Sequence, residues 1–434
     1  MRILKTLKFL TSLVFLLTVI AGLYIAFNSK DIPPPDVSDL HVPYPDVPDE
    51  ENAFTVLKEE TTKIELTSED SDILRSVIDD KPIAPETVEE ILKRFEEPLD
   101  RIAEGVKRKR CIFPRPSSVS TMVPEVTGIL ESGRLWSVET HLALQQGNPR
   151  RAITATRRNL ILGRSVVSEP ETLIQYIVGN AVLFFAVDGV ERLVLDPTVN
   201  FEALLELQEL LSMQQLLDKA LTRALKSEFL FGMIAIQEVQ TKPEDFGADT
   251  SYFEHPWTRF FPSFFLKPNE TKVMFAEYYR RSLPNIGKFY SKMDTRIEEE
   301  LVPSRGRIKI FPPAPNMGGL MISRIMLPAV DGVFHQYSEM LGNAVGLQTL
   351  IALRSFEEEQ GELPRGLDLL VPDFLEKVPV DPFDGNPLRY DPERRIVWSV
   401  GEDLIDQNGS TVQREDTRSD ERRNQEDMVW EMAW

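Results

Sequence analysis

The clearest pattern in the chain is an unbroken run of apolar positions near its start, "FLTSLVFLLTVIAGLYIAF" from Phe9 to Phe27. It carries no charge, and as a helix it is long enough to cross the hydrocarbon of a bilayer. Arg2, Lys5 and Lys8 precede it and an acidic, proline-rich stretch follows Lys30. The positive-inside bias therefore predicts residues 1–8 in the cytoplasm, a span over 9–27 and the bulk of the chain outside. A cleaved signal peptide ending near Ala21 is the alternative, although the apolar run exceeds an ordinary signal core.

After the anchor, "DIPPPDVSDLHVPYPDVPDEE" repeats proline between acids, a composition that favours extended geometry, so residues 28–51 read as a stalk. From 52 to about 330 the periodicity is helical. "APETVEEILKRFEEPLDRIAEGVKRK" puts Val88, Ile91, Phe95 and Leu99 on one face, with Pro98 expected to kink or end the helix. Leu135, Val138, Leu142 and Leu144 form the stripe of one amphipathic helix, and Ala152, Ala155, Leu160 and Leu162 that of the next. Between them "QGNP" supplies a glycine stop and a proline restart, which predicts an antiparallel helical hairpin.

In "SEPETLIQYIVGNAVLFFAV", Ser168 is the expected cap and Glu171 the reciprocal partner of a capping box. The uncharged body holds Gln175 and Asn180, which favours a buried core helix over a second span. Asn200 is the expected cap of a further leucine-striped helix. The aromatic, proline-broken stretch from Phe246 to Lys267 reads as a packed irregular loop, with an exposed docking patch the alternative, and helix resumes after Asn269 with Val273, Phe275 and Tyr279 on one side. A last long helix puts Phe334, Tyr337, Leu341, Ala344, Leu347 and Ile351 on one stripe and stops at Gly361 and Pro364. Two short strands, about 387–390 and 395–399, joined by "DPER", should fold back on it. From 411 to 434 the chain reads as a charged tail, whose final "MVWEMAW" is too apolar to stay in water. The fold class is therefore mainly α: an N-terminal transmembrane helix, a non-repeating helical-hairpin domain of tetratricopeptide type, and a small C-terminal β-hairpin packed on a long helix.

Composition narrows the chemistry. A net charge of -20, from 69 acidic against 49 basic residues, argues against a nucleic-acid surface. Cys111 is the sole cysteine, so neither an intrachain disulfide nor a thiolate zinc cluster is available; "KRKR" before it is a feature that lowers a thiol pKa. His41, His141, His255 and His335 lie far apart and show no metal-ligand spacing. Acid pairs abound, among them Glu131 with Glu139 and the run from Glu357, and paired carboxylates are what hydrolysis of a glycan would use. Arg150, Arg151, Arg157 and Arg158 recur two turns apart and predict a shared face for an acidic partner or lipid phosphate.

Two resemblances add to this. The stretch from Gln348 to Gly409 is similar to the C-terminal region of the major pseudopilins of type II secretion, through Gly361, Pro364, Leu367, Leu370, Asp381, Pro382, Gly385, Pro387, Tyr390, Ser399, Gly401 and Asp403. It covers about 331–410 as a helix plus hairpin. The amino terminus has no glycine cleavage site followed by a glutamate, so the likeness does not extend to pilus assembly. In pseudopilins the following loop can hold calcium, and the resemblance points to Ser399, Asp403, Asp406 and Asn408 as its oxygens here. "YPDVPDEENAF", the "GN..RA" hairpin and "EPETLIQYIVG" look like single-anchor bacterial envelope proteins of planctomycete type, a likeness that implies location and no activity.

These readings converge on a non-catalytic extracytoplasmic scaffold that meets an envelope protein partner, with no cofactor unless calcium. A cell-envelope hydrolase and an accessory of a secretion system are the alternatives.

Overall fold

The computed structural model describes residues 2–121, 123–241, 261–301, 315–327, 331–410 and 427–434. Helix accounts for 65% of the chain and strand for 4%, so the protein is mainly α. Its amino-terminal helix α1, Arg2–Asn28, presents an apolar segment, Lys8–Asn28, of which none is buried by the rest of the fold. Such a helix is compatible with a single membrane anchor.

Five helices follow: α2 (Phe54–Glu60), α3 (Ser68–Ile78), α4 (Pro85–Arg94), α5 (Glu96–Gly105) and α6 (Glu125–Gln145). The break expected at Pro98 falls at Phe95, between α4 and α5, because the proline ring clashes with the carbonyl four residues before it. α6 and α7 (Pro149–Ser168) form the predicted hairpin. At the turn the Gly147 N–H reaches the Leu144 carbonyl at 3.0 Å and the Asn148 N–H reaches Ala143 at 2.8 Å, a Schellman pair. Gly147 has φ +67, which glycine adopts without steric cost. Asn148 then caps α7 through the Arg151 N–H.

The capping box expected at Ser168 lies elsewhere. α7 continues through Ser168, whose hydroxyl donates to the Ser165 carbonyl, and α8 (Leu173–Leu195) is capped by Thr172 with Gln175 as the reciprocal partner. Glu171 is instead buried between Arg115 and Arg223, which holds its carboxylate away from the helix end. α8 is a core helix as expected: Asn180 reaches the Gln336 carbonyl, and its apolar residues divide between two clusters. Val178 and Val182 join Phe54, Leu57 and Trp136 on one side; Leu183 and Val190 join Leu221, Phe229 and Tyr337 on the other. A helix that buries residues all round must lack a polar face, which is why its sequence mimics a span.

The second half holds α9 (Phe201–Leu210), capped by Asn200 as predicted, α10 (Gln214–Thr241), the one-turn α11 (Pro262–Phe265), α12 (Pro268–Ser282), α13 (Ile297–Leu301), α14 (Met317–Met326) and α15 (Asp331–Gln360). Phe275 and Tyr279 on α12 are buried, but Val273 is exposed and does not share their face. All six predicted stripe residues of α15 are buried. Most of the aromatic loop, 242–260, lies outside the described residues.

Residues 28–51 do not stand free. Asp31 accepts hydrogen bonds from the Asn269 and Glu270 N–H groups at the start of α12, at 2.8 and 3.1 Å. Asp39 pairs with Arg280 at 2.6 Å, Leu40 and Val42 are buried, and Tyr44 lies beneath the Arg115 guanidinium. Extended backbone leaves side chains free to turn inward, and these two apolar residues among prolines and acids fasten the segment to the body as a strap.

The C-terminal sheet has the order β1 (Arg389–Asp391), β2 (Ile396–Ser399), β3 (Met428–Glu431), all antiparallel. The first two are the predicted hairpin. The third shows where the apolar end of the charged 411–434 segment docks, as a strand that was not expected: Met428–Glu431 pairs with β2, Val397 opposite Trp430, while 411–426 lies outside the described residues. Trp430 is buried against Gly346 of α15, where an added methyl would sit 2.4 Å from the indole. Gly346→Ala is expected to cost about 1–3 kcal/mol and to expose β3, read as a lower melting temperature with faster proteolysis of the carboxyl end.

Candidate functional site

A cleft of about 340 Å³ opens between α4, α5, α6 and α7. Leu92, Leu99 and Trp136 form its apolar floor, and Trp136 is fully buried with an indole N–H that has no partner. The Schellman turn and the Asn148 cap set the first turn of α7 so that Arg151 reaches across to α4 and α6. Its guanidinium donates to both oxygens of Glu89 (2.6 and 3.1 Å) and to Glu139 (2.9 Å). The hydrogen bond from Arg151 holds the Glu89 carboxyl below its usual range, and the two carboxylates push the guanidinium further up. Two turns on, Arg158 pairs with Asp100 at 2.9 Å. Glu90, Lys93 and Glu96 complete the lining from exposed positions.

The structure splits the four predicted arginines. Arg151 and Arg158 line the cleft; Arg157 faces Glu206 at 3.9 Å on an exposed surface, and Arg150 is exposed and enters no ion pair among the described residues. Adjacent residues on a helix lie about 100° apart, so 150/157 and 151/158 form two faces rather than one. Glu89 and Asp100 had no signal in the chain, because the pairs they make join residues tens of positions apart, and Trp136 reads as one more apolar position of a helix.

The carboxylates considered for hydrolysis do not converge. Glu131 pairs with Arg134 at 2.9 Å, Glu139 with Arg151, and Glu357 accepts from Arg395 and from the Trp434 indole. The calcium oxygens are likewise engaged separately. Ser399 donates to Asp381 (2.8 Å), Asp406 accepts from the Trp398 indole (3.0 Å) and the Asn408 N–H, and Asp403 accepts from Ile405 N–H and Gln407. Among the described residues no group of three or more His, Cys, Asp or Glu is placed to share an ion. His141 lies between Asp188 (2.9 Å) and the Val77 carbonyl, His335 faces Glu402 at 3.3 Å, His41 is exposed, and His255 is outside the described residues.

Several residues of the C-terminal motif hold the cassette together. The fully buried Asp381 accepts from Phe383 N–H, Val400 N–H, the Ser399 hydroxyl and Arg389. Gly385 N–H returns to the Asp381 carbonyl after Pro382 turns the chain, and Gly401 N–H reaches Ser399. Tyr390 donates to the Pro364 carbonyl at 2.9 Å, closing the loop that begins at Gly361.

The "KRKR" run does not activate Cys111. The thiol is buried and burial pushes it up to about 12, so the native protein is expected to resist an aromatic disulfide reagent at pH 8 and to react fully once denatured. Fast reaction before unfolding would contradict the packing around α7. Compared with known protein families, curated proteins and solved structures, the chain matches none.

Proposed function

We propose that the chain is a non-catalytic scaffold anchored by α1 in a bacterial cytoplasmic membrane, with its helical body in the periplasm and the α4–α7 cleft as its docking surface for an envelope protein. The reading rests above all on one arrangement: the cleft carboxylates Glu89, Glu139 and Asp100 are each paired with an arginine. A glycosidase-type acid needs a raised pKa, and Arg151 moves Glu89 the other way. The apolar floor and the charged rim fit recognition by burial and a few polar contacts. Orientation follows from Arg2, Lys5 and Lys8 on one side of the apolar run and an acidic chain on the other. The cassette packs on α15 through Trp430 and the Glu357–Arg395 pair.

A photo-crosslinking residue at Lys93, on the cleft rim, tests this in native envelopes. A discrete protein adduct that disappears with the charge reversals Glu90→Lys and Glu96→Lys is expected. Absence of any such adduct, together with glycan cleavage by the purified full-length protein that is lost in Glu139→Gln, would favour the hydrolase.

A further inference from the structure

The junction between anchor and body carries more than attachment. Tyr24 lies within the apolar run, three residues before its end at Phe27, which is about 4.5 Å of helical rise. Its ring meets Phe264 of α11 edge-on, with centroids 5.9 Å apart. α11 therefore sits beside the last turn of the span rather than above it. Phe261, the residue preceding α11, is 36% exposed, whereas Phe264 and Leu266 are buried.

The chain allows no slack at this point. The side chains of Asn28 and Ser29 bond back to the Tyr24 and Ile25 carbonyls, which carries the helix to its end. Two residues later Asp31 is held on the first turn of α12 by two backbone N–H groups, and the Ile32 carbonyl accepts from Asn269. Two intervening residues reach at most about 10 Å when extended. A body fastened so close to the end of a membrane helix, and touching it at Tyr24, cannot be lifted clear by a stalk.

On these grounds, and resting on the reading of α1 as an uncleaved anchor, we propose that the body lies on the lipid surface, with the Phe261–Phe265 turn set into the interfacial layer as an aromatic foot. The occupant of this surface is the bilayer that holds α1. Tyr24, with an apolar ring and a polar hydroxyl, is the kind of side chain favoured at that depth, and beside it the exposed Phe261 ring gains by leaving water. The foot fixes which faces of the body point outward, so it also sets the approach of any partner.

The full-length protein in lipid nanodiscs tests the proposal. Cys111 is buried, so a single exposed cysteine takes a fluorescent label selectively. Phe261→Cys reports on the foot and Ile20→Cys on the anchor. Ile20 is exposed and Phe261 lies at the surface, outside both buried core clusters. A lipid-borne nitroxide is expected to quench both labels, and aqueous iodide to quench neither efficiently. Quenching of position 261 by iodide alone, with position 20 still quenched by the nitroxide, overturns the proposal and leaves the anchor intact. Loss of nitroxide quenching at position 20 as well would defeat the anchor reading first and the foot with it.

Discussion

Replacing Asp381 by alanine is expected to cost about 3–5 kcal/mol of unfolding free energy, the range for removing one partner of a buried ion pair. The carboxylate is fully buried and satisfies two backbone N–H groups, one hydroxyl and the Arg389 guanidinium, the last at 2.6 Å. Alanine strands the Phe383 and Val400 N–H groups and the Ser399 hydroxyl in a place water does not reach, while Arg389 keeps Asp384 and Asp406. Asp381→Asn keeps one acceptor oxygen but turns an N–H₂ toward a donor, so an intermediate loss is expected. Urea unfolding of the detergent-solubilised protein, followed by tryptophan emission, measures both; Trp398 and Trp430 lie in the affected sheet. A loss below about 1 kcal/mol for the alanine variant would show that the cassette does not depend on this hub.

Glu191→Gln is expected to stabilise the protein at pH 8 and to leave it unchanged near pH 4.5. Burial, and after it the charge of Asp188, push the Glu191 carboxyl from 4.5 up to about 7. Asp188 stays ionised: burial alone raises it, but hydrogen bonds from His141 and Arg192 hold it below the ordinary value. A carboxyl whose folded pKa is raised is protonated in the folded state while already ionised in the unfolded one. Its contribution therefore declines as pH climbs from about 4.5 to about 7 and is flat above. A shift of that size corresponds to up to about 3 kcal/mol. Glutamine mimics the protonated form at every pH, so the difference in melting temperature between variant and parent should grow across that window and then level off. Parallel pH profiles would contradict the placement of Glu191 beside Asp188 and near β3.

The parts of this fold that were legible in the chain are those specified within one or two turns. "QGNP" encodes a stop and a restart that the Gly147 turn carries out, Asn200 is a cap, and the α15 stripe buries as spaced. What was not legible depends on distant partners. Glu171 looked like a capping residue because its spacing was right, but two arginines at positions 115 and 223 claim it. The strap reads as a stalk because proline spacing shows geometry and not the pocket that Leu40 fills. β3 is four residues whose partner strand lies about thirty positions earlier, so no local period betrays it. The cleft is the extreme case. Four helices contribute to it, and only the arginines hinted at it, with a shared face that helical geometry then divided.

The most direct test of the account is which side of the membrane the body occupies. In right-side-out spheroplasts carrying the full-length protein, added protease should degrade everything beyond residue 30, while an epitope placed before Arg2 survives until the cells are lysed. After alkaline carbonate washing, the protein should remain with the membrane. Digestion of the body only after lysis, or its release by carbonate, would contradict the membrane-anchored, outward-facing arrangement on which the cleft and the foot both rely.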